Sequence, residues 1–251
     1  MTTKCDAMKY RHIHIKETTS TNLIARDMET EDDETVVITT DFQTDGKGQG
    51  SNKWESEKGK NLLFSIITPT LSIESRKQFL ISMAMANAIY DVLVDNGIKG
   101  VSIKWPNDIY AGNYKISGTL IENRLAGCVI RRSIIGVGLN VNQSVFISDA
   151  PNPTSMTNLT GKQYDLHCIM DGIIHNFRRM TYMASSAPDI LKIMYMERMY
   201  RKEGMHRYYD RNGSFLASSE GVTDSGCLML KDESGNIRQY GFKEVAFDIE
   251  F

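Results

Sequence analysis

Residues 101–142 constrain the fold most. "VSIKWPNDIYA", "YKISGTLIENRL" and "CVIRRSIIGVGLNVN" follow one another with only the turns at Gly112-Asn113 and near Gly127 between them. All three are rich in β-branched residues, and each turn is too short to hold a crossover helix. The stretches must therefore pair as antiparallel neighbours, which excludes a regular β-α-β alternation in this part of the chain. Elsewhere both periods occur. "YRHIHIKE", "ETVVITTDF" and "NLLFSIITP" read as strands, the last stopped by Pro69. "STNLIARDMET" starts on a serine able to cap a helix, with Leu23, Ile24 and Met28 on its apolar face. Over about residues 74–95, Phe79, Met83, Ala86, Tyr90 and Leu93 recur at helical spacing, and Gly97 follows as a stop. Further helices are expected over roughly 165–184 and 188–203, and a surface loop over 148–161. The mixture predicts an α+β domain.

After Gly204 the texture changes. Short alternating segments are separated by "DRNG", "SSEG", "TDSG" and "DESGN", and Val245, Phe247, Ile249 and Phe251 alternate at the end. That pattern suits a small antiparallel barrel. The expected division is 1–204 for a larger domain and 205–251 for the barrel.

With 29 Lys plus Arg against 31 Asp plus Glu, the formal net charge is -2, so nothing suggests a nucleic-acid coat or a polybasic membrane surface. An anion, if bound, has to meet a local site. Cys5, Cys128, Cys168 and Cys227 are isolated, with no zinc knuckle and no C-x-x-C pair, as suits a reducing compartment. The N-terminus has no apolar signal core, and no run reaches the ~20 apolar residues needed to span a bilayer. A cytoplasmic location is expected.

Four stretches carry chemistry. In "DFQTDGKGQGSNKW", residues 41–54, glycines at 46, 48 and 50 make a loop of bare backbone suited to an anion. It fails the Walker pattern and G-x-G-x-x-G alike, because Ser51 stands where each needs glycine. In "KWPNDI", Lys104 ends a β-branched segment and is fixed by Trp105-Pro106, so its charge can meet a carboxylate or phosphate; the plainer alternative is a lysine snorkelling from a strand edge. Asn107 and Asp108 can simply make a turn. Lys115 follows the tight turn before Ser117-Gly118, where a solvated lysine is the ordinary reading. Ser20-Thr21-Asn22 alone reads as a plain N-cap, and His12 and His14 share a strand face without a third metal ligand nearby.

Taken together and in order, Ser-Thr-Asn at a helix start, Gln43 before a Gly-basic-Gly loop ending in Trp54, "KWPND", "KISGTLIE" and "GVGLNVN" resemble biotin protein ligase over roughly residues 17–142. The resemblance implies a mixed β-sheet with helices on one side, related to class II aminoacyl-tRNA synthetases, and a small SH3-like C-terminal β-barrel. It implies an ATP-dependent ligase that forms biotinyl-5′-AMP and passes biotin to a lysine of a biotin carboxyl carrier protein domain. Ser20, Thr21, Asn22, Gln43, Lys47, Gly48, Gln49 and Lys104 become the implied biotin-contacting residues, and Lys104 the catalytic one. Gly46, Lys47, Trp54, Asn107, Lys115 and Asn140 become the implied ATP and adenylate contacts. Mg²⁺ is expected with ATP, without named protein ligands.

Two departures matter. The family loop is commonly Gly-Arg-Gly-Arg, whereas here Lys47 and Gln49 replace both arginines, removing a bidentate clamp. This bears on retention of the mixed anhydride more than on its formation. The ligase-like region also begins within about twenty residues of the first, so no DNA-binding domain and no DNA role is expected. The Arg-Arg-x-x-Gly-Gly-Gly loop of a lipoate ligase is absent from the sequence. The remaining alternatives are an acyl-protein ligase of the same fold and a non-catalytic biotin- or nucleotide-binding protein. Monomer and homodimer both stay open.

Overall fold

The structure, a computed structural model, describes residues 9–50, 52–71, 73–148 and 150–249; Cys5, Ser51 and Phe251 lie outside them. In chain order, β1 (Lys9–Ile15), α1 (Thr21–Asp27), β2 (Glu34–Thr40) and β3 (Leu62–Ile67) lead to α2 (Phe79–Asp95). Next come β4 (Val101–Lys104), β5 (Asp108–Ala111), β6 (Tyr114–Ala126) and β7 (Val129–Leu139). Then follow α3 (Met156–Thr160), α4 (Leu166–Ser186) and α5 (Pro188–Glu197). The chain ends in β8 (His206–Asp210), β9 (Gly213–Val222), β10 (Leu228–Asp232), β11 (Ile237–Tyr240) and β12 (Ala246–Phe247).

The three hairpin-joined stretches do pair antiparallel, but as four strands. Trp105-Pro106-Asn107 breaks the first stretch into β4 and β5, which fold back so that Lys104 faces Asp108 across the ladder. Proline supplies no N–H to continue a ladder, which fits a break there. The main sheet has seven strands in the order β1-β2-β3-β7-β6-β5-β4. Only β1 and β2 run parallel, so the sheet is mixed, as expected.

Alternation along the strands sets the two faces. Val37, Phe64, Ile66, Ile135 and Val137 point to the large core, where α2 meets α4 and α5. α2 is buried on nearly every side: Met83 and Met85 are 2% and 0% exposed. Val36, Ile38, Ile67 and Ile134 point the other way, where the short α1 covers them with Ala25. Because β2 is covered on both sides, it is buried almost continuously, with Val36, Val37 and Ile38 consecutive at its centre. The helices that make the core thus lie on one face, while α1 alone sits opposite.

Local boundaries follow their capping chemistry. The helix expected from residue 74 starts at Phe79, after a 3-10 turn over Ser75–Lys77. α4 starts where Asp165 Oδ1 accepts from the amides of His167 and Cys168 at 2.7 and 3.2 Å. Pro188 opens α5, which ends at Glu197, short of the expected 203. The stretch expected as plain loop contains α3, capped by Ser155 and stopped by Gly161 in the left-handed conformation.

The second sheet is five-stranded and antiparallel, in the order β11-β10-β9-β8-β12. Its buried residues Tyr208, Ala217, Leu228 and Leu230 join the same apolar cluster as α2 and α5. Trp105 Nε1 donates to the Gly226 carbonyl at 2.8 Å, which fastens the β4–β5 turn to this sheet.

Candidate active site

A cavity of about 540 Å³ opens on the face of the main sheet that carries α1. Its floor is made of glycine. Gly136 and Gly138 share the pleat face of β7 opposite to Val137, and a Cβ at either would collide, with the Asn22 carboxamide and the Trp54 ring respectively. The alternation Gly-Val-Gly therefore buries valine in the core and leaves bare backbone on which two larger side chains rest.

One end of the cavity is neutral and polar. Ser20, Thr21 and Asn22 are 2%, 3% and 5% exposed. Ser20 occupies the N-cap position of α1, yet its side chain makes no capping bond, so the plain N-cap reading fails. Gln43 Oε1 accepts from the Thr21 amide at 2.9 Å, so that amide is committed and not open to a ligand. Ser65, wholly buried, donates between Thr21 Oγ1 at 2.7 Å and Asn22 Oδ1 at 2.6 Å. Asn22 Nδ2 reaches the Leu120 carbonyl at 3.4 Å. The triplet is held by a second layer of hydrogen bonds. The Ser20 hydroxyl and the Gln43 amide nitrogen make no hydrogen bond among the described residues, and both residues line the cavity.

The middle is cationic. Lys47, Lys53, Lys104, Lys115 and Lys243 line the cavity against one carboxylate, Asp108. Lys115 pairs with Asp108 at 2.7 Å, and its ammonium lies 5.8 Å from the Trp54 ring centre. Lys53 pairs with Asp45 at 3.0 Å. Lys104 has no ion pair among the described residues; its ammonium stands 5.4 Å from the Tyr110 ring centre and 4.7 Å from that of Phe247. Burial lowers its pKa from the ordinary lysine range, partly opposed by Asp108. Partly desolvated, this charge acts strongly on any anion brought to it. Its rings and neighbouring turn hold it in place, so the snorkelling alternative does not describe it.

The far side opens into a second cavity of about 660 Å³, which shares Trp54, Asp108, Tyr110, Lys115 and Pro151 with the first and adds Asn140, Asn152 and Pro153. Two buried polar atoms of its lining residues have no hydrogen-bond partner among the described residues: Trp54 Nε1, a donor lying against Gly138, and Asn140 Oδ1, an acceptor. Orphans of this kind mark places where a ligand supplies the missing partner.

The glycine loop is a tight hairpin. Trp54 N donates to Gly46 O and Gly48 N to Asn52 O, both at 2.8 Å. The Gly48 amide is thus used internally, which corrects the expectation that the backbone of this loop is bare at that glycine. Gly46 lines neither cavity; its hydrogen side is filled by the Trp54 carbonyl, 2.7 Å from where a Cβ would lie. Lys47, Gly48 and Gln49 do line the first cavity, and Asn107 Nδ2 donates to Gln49 Oε1 at 3.2 Å. Asn107 also bonds the Thr119 carbonyl, so it ties the loop to the sheet instead of merely shaping a turn. His12 Nε2 and His14 Nδ1 both meet Thr39 Oγ1, at 2.9 and 3.2 Å, and no group of three metal-ligating side chains occurs among the described residues.

Residues 13–140, just over half of the chain, match the Biotin/lipoate A/B protein ligase family. The chain belongs to this family. Among family relatives, the bifunctional ligase/repressor BirA of Bacillus spizizenii is 29% identical over 210 residues, covering 80% of this chain and 63% of that protein. The biotin–[acetyl-CoA-carboxylase] ligase of Mycobacterium tuberculosis is 29% identical over 150 residues, covering 58% of this chain and 54% of its own length. The chain therefore spans a little under two thirds of the first of these relatives. A solved biotin protein ligase from Aquifex aeolicus, in complex with biotin and ATP, superposes with a TM-score of 0.78 over 96% of this chain and 99% of that one, at 21% identity. The expected mixed sheet and small second sheet are thus a known architecture of the ligase fold.

Several residues of this site are missed by motif reasoning. Ser65 had a weak signal, as the one hydroxyl in an otherwise apolar strand. Gly136 and Gly138 stand in the quoted "GVGLNVN" motif, where sequence reasoning gave them no role of their own. Tyr110, Lys243 and Phe247 had none, since only the fold brings them to Lys104 and the loop.

Proposed function

We propose that the chain is an ATP-dependent biotin–protein ligase. A carboxylate oxygen of biotin attacks the α-phosphorus of ATP, an acyl–phosphate bond forms, and pyrophosphate leaves. A lysine amine of a carrier domain then attacks the acyl carbon, an amide forms with loss of a proton, and AMP departs. The observation that carries this reading is the run of two joined cavities: a neutral polar end, a cationic middle, and an outer end with an unpaired donor and acceptor. That order matches a neutral ring with a carboxylate tail lying end to end with a nucleotide.

On this reading Ser20, Thr21, Asn22 and Gln43 face the ureido ring, the first and last offering hydrogen-bonding groups not used elsewhere. Lys104 stands where the carboxylate meets the α-phosphate, relieving repulsion between the two anions and stabilising the charge of the transition state. Lys115 stands at the junction of the two cavities, where Asp108 keeps it in place. Trp54 and Asn140 belong to the adenine end. Lys47, Gly48 and Gln49 close over the phosphate, with Asn107 anchoring Gln49. Gly46 shapes the loop without contact. Mg²⁺ accompanies ATP; the carboxylates lining the two cavities are Asp108, paired with Lys115, and Glu55, which accepts from the Ile147 and Ser148 amides, so the donor set suits an ion held mostly by phosphate oxygens and water.

Residues 205–251 cap the catalytic unit formed by 1–204, since Phe247 and Lys243 both reach its cavity. No helix among the described residues is long and apolar enough to cross a membrane, and the isolated cysteines favour a cytoplasmic setting. The acceptor is a biotin carboxyl carrier domain, in keeping with the named substrate of the mycobacterial relative. Incubating the chain with biotin, ATP and such a domain is expected to add one biotinyl group to one carrier lysine, seen by intact mass. A carrier left unmodified in the presence of a working adenylation step would contradict the proposed acceptor.

A further inference from the structure

Two non-glycine residues have a left-handed backbone among those described, Arg201 at φ 57° and Lys243 at φ 66°. Any residue with a Cβ resists that conformation, so such an outlier points to use of its side chain. Arg201 has a structural use: its guanidinium donates to the carbonyls of Arg207 and Asp248 and lies 5.3 Å from the Tyr200 ring centre. Lys243 has no such use. It makes no hydrogen bond or ion pair among the described residues, and its nearest ring, Phe242, is 5.8 Å from the ammonium. The turn around it is held by others, with Gly241 N donating to Glu244 Oε2 at 2.6 Å.

What the Lys243 ammonium does reach is the glycine loop. It lies so close to Gly50 that a Cβ there would collide with Nζ, and it lines the first cavity with Lys47 and Gln49. On the glycine loop itself Lys47 is the cation left without an ion pair among the described residues. Gln49 is neutral and turned to Asn107, while Lys53 is taken by Asp45. We infer that Lys243 is a phosphate-contacting residue, which reaches across from the C-terminal sheet and clamps the glycine loop over the acyl-adenylate. It supplies the cation that Gln49 does not. This rests on the ligase reading above.

The test uses the full chain with Lys243→Gly, Lys243→Ala and Lys243→Arg. Glycine relieves the backbone, so that variant is expected to unfold at the same or a higher temperature and any defect in it belongs to the side chain. Each protein forms biotinyl-5′-AMP from biotin and ATP, and its release is followed after a chase with unlabelled biotin. The Gly and Ala variants are expected to release it about tenfold faster, as for loss of one charge-assisted contact, and to lose pyrophosphate exchange by a smaller factor. The Arg variant should hold it as the unsubstituted chain does. Added salt should speed release from the unsubstituted chain more than from the Gly variant. Unchanged release from the Gly variant, or no rescue by arginine, overturns the role of Lys243 while leaving the ligase reading in place. No biotin-dependent exchange by the unsubstituted chain removes both.

Discussion

Lys104 gathers the central chemistry into one side chain. It is held between Tyr110 and Phe247, without a carboxylate of its own. Lys104→Ala is expected to slow adenylate formation by about two orders of magnitude, the usual loss for one transition-state contact. A near-normal first step in that variant would remove Lys104 from the mechanism. Burial lowers its pKa, so the protonated, active form is complete at low pH and is lost as pH rises through that lowered value. The exchange rate should therefore fall on the alkaline side before the ordinary lysine range is reached, and a profile flat up to that range would count against this account. The importance of Lys104 was legible because Trp105-Pro106 follow it in sequence. The rings above it were not, since Tyr110 arrives by the β4–β5 turn and Phe247 from the far end of the chain. Ser20 shows the reverse lesson. Serine at a helix start is ordinarily a cap, and only the absence of a capping bond reveals a hydroxyl kept for the cavity.

At the scale of elements, local chemistry predicted most strands and helices, because alternation, proline and capping residues act over a few positions. It failed where a partner element decides. α2 reads as amphipathic in sequence but is buried almost all round, because α4 and α5 cover its outer side. The glycine loop was legible as a loop, though not as a hairpin in which Gly48 bonds Asn52. Few bonds fix it among the described residues: three backbone bonds, one of them long at 3.4 Å, the Lys53–Asp45 pair and the Asn107–Gln49 contact. Amides of Lys47, Gln49 and Gly50 are therefore expected to exchange rapidly in the free protein and to become protected when biotin and ATP are added. Identical exchange with and without these ligands would show that the loop does not close over them.

The described residues form two sheets and two apolar clusters, and the larger cluster runs through both sheets. Tyr208, Ala217 and Leu230 of the second sheet share that cluster with α2 and α5, and Trp105 bonds Gly226 across the join. The change of texture after Gly204 locates the second sheet, yet nothing in it signals this shared core, which depends on contacts far apart in sequence. Urea should unfold the chain in a single transition with far-UV and tryptophan signals coincident. Two separate transitions would mean that 205–251 folds as an independent unit.

The joined cavities make biotin-dependent exchange of labelled pyrophosphate into ATP the most direct measurement of the central claim. Exchange is expected with biotin and Mg²⁺ present, and not with lipoate in place of biotin. Biotin binding without exchange, or exchange supported equally by lipoate, would contradict it.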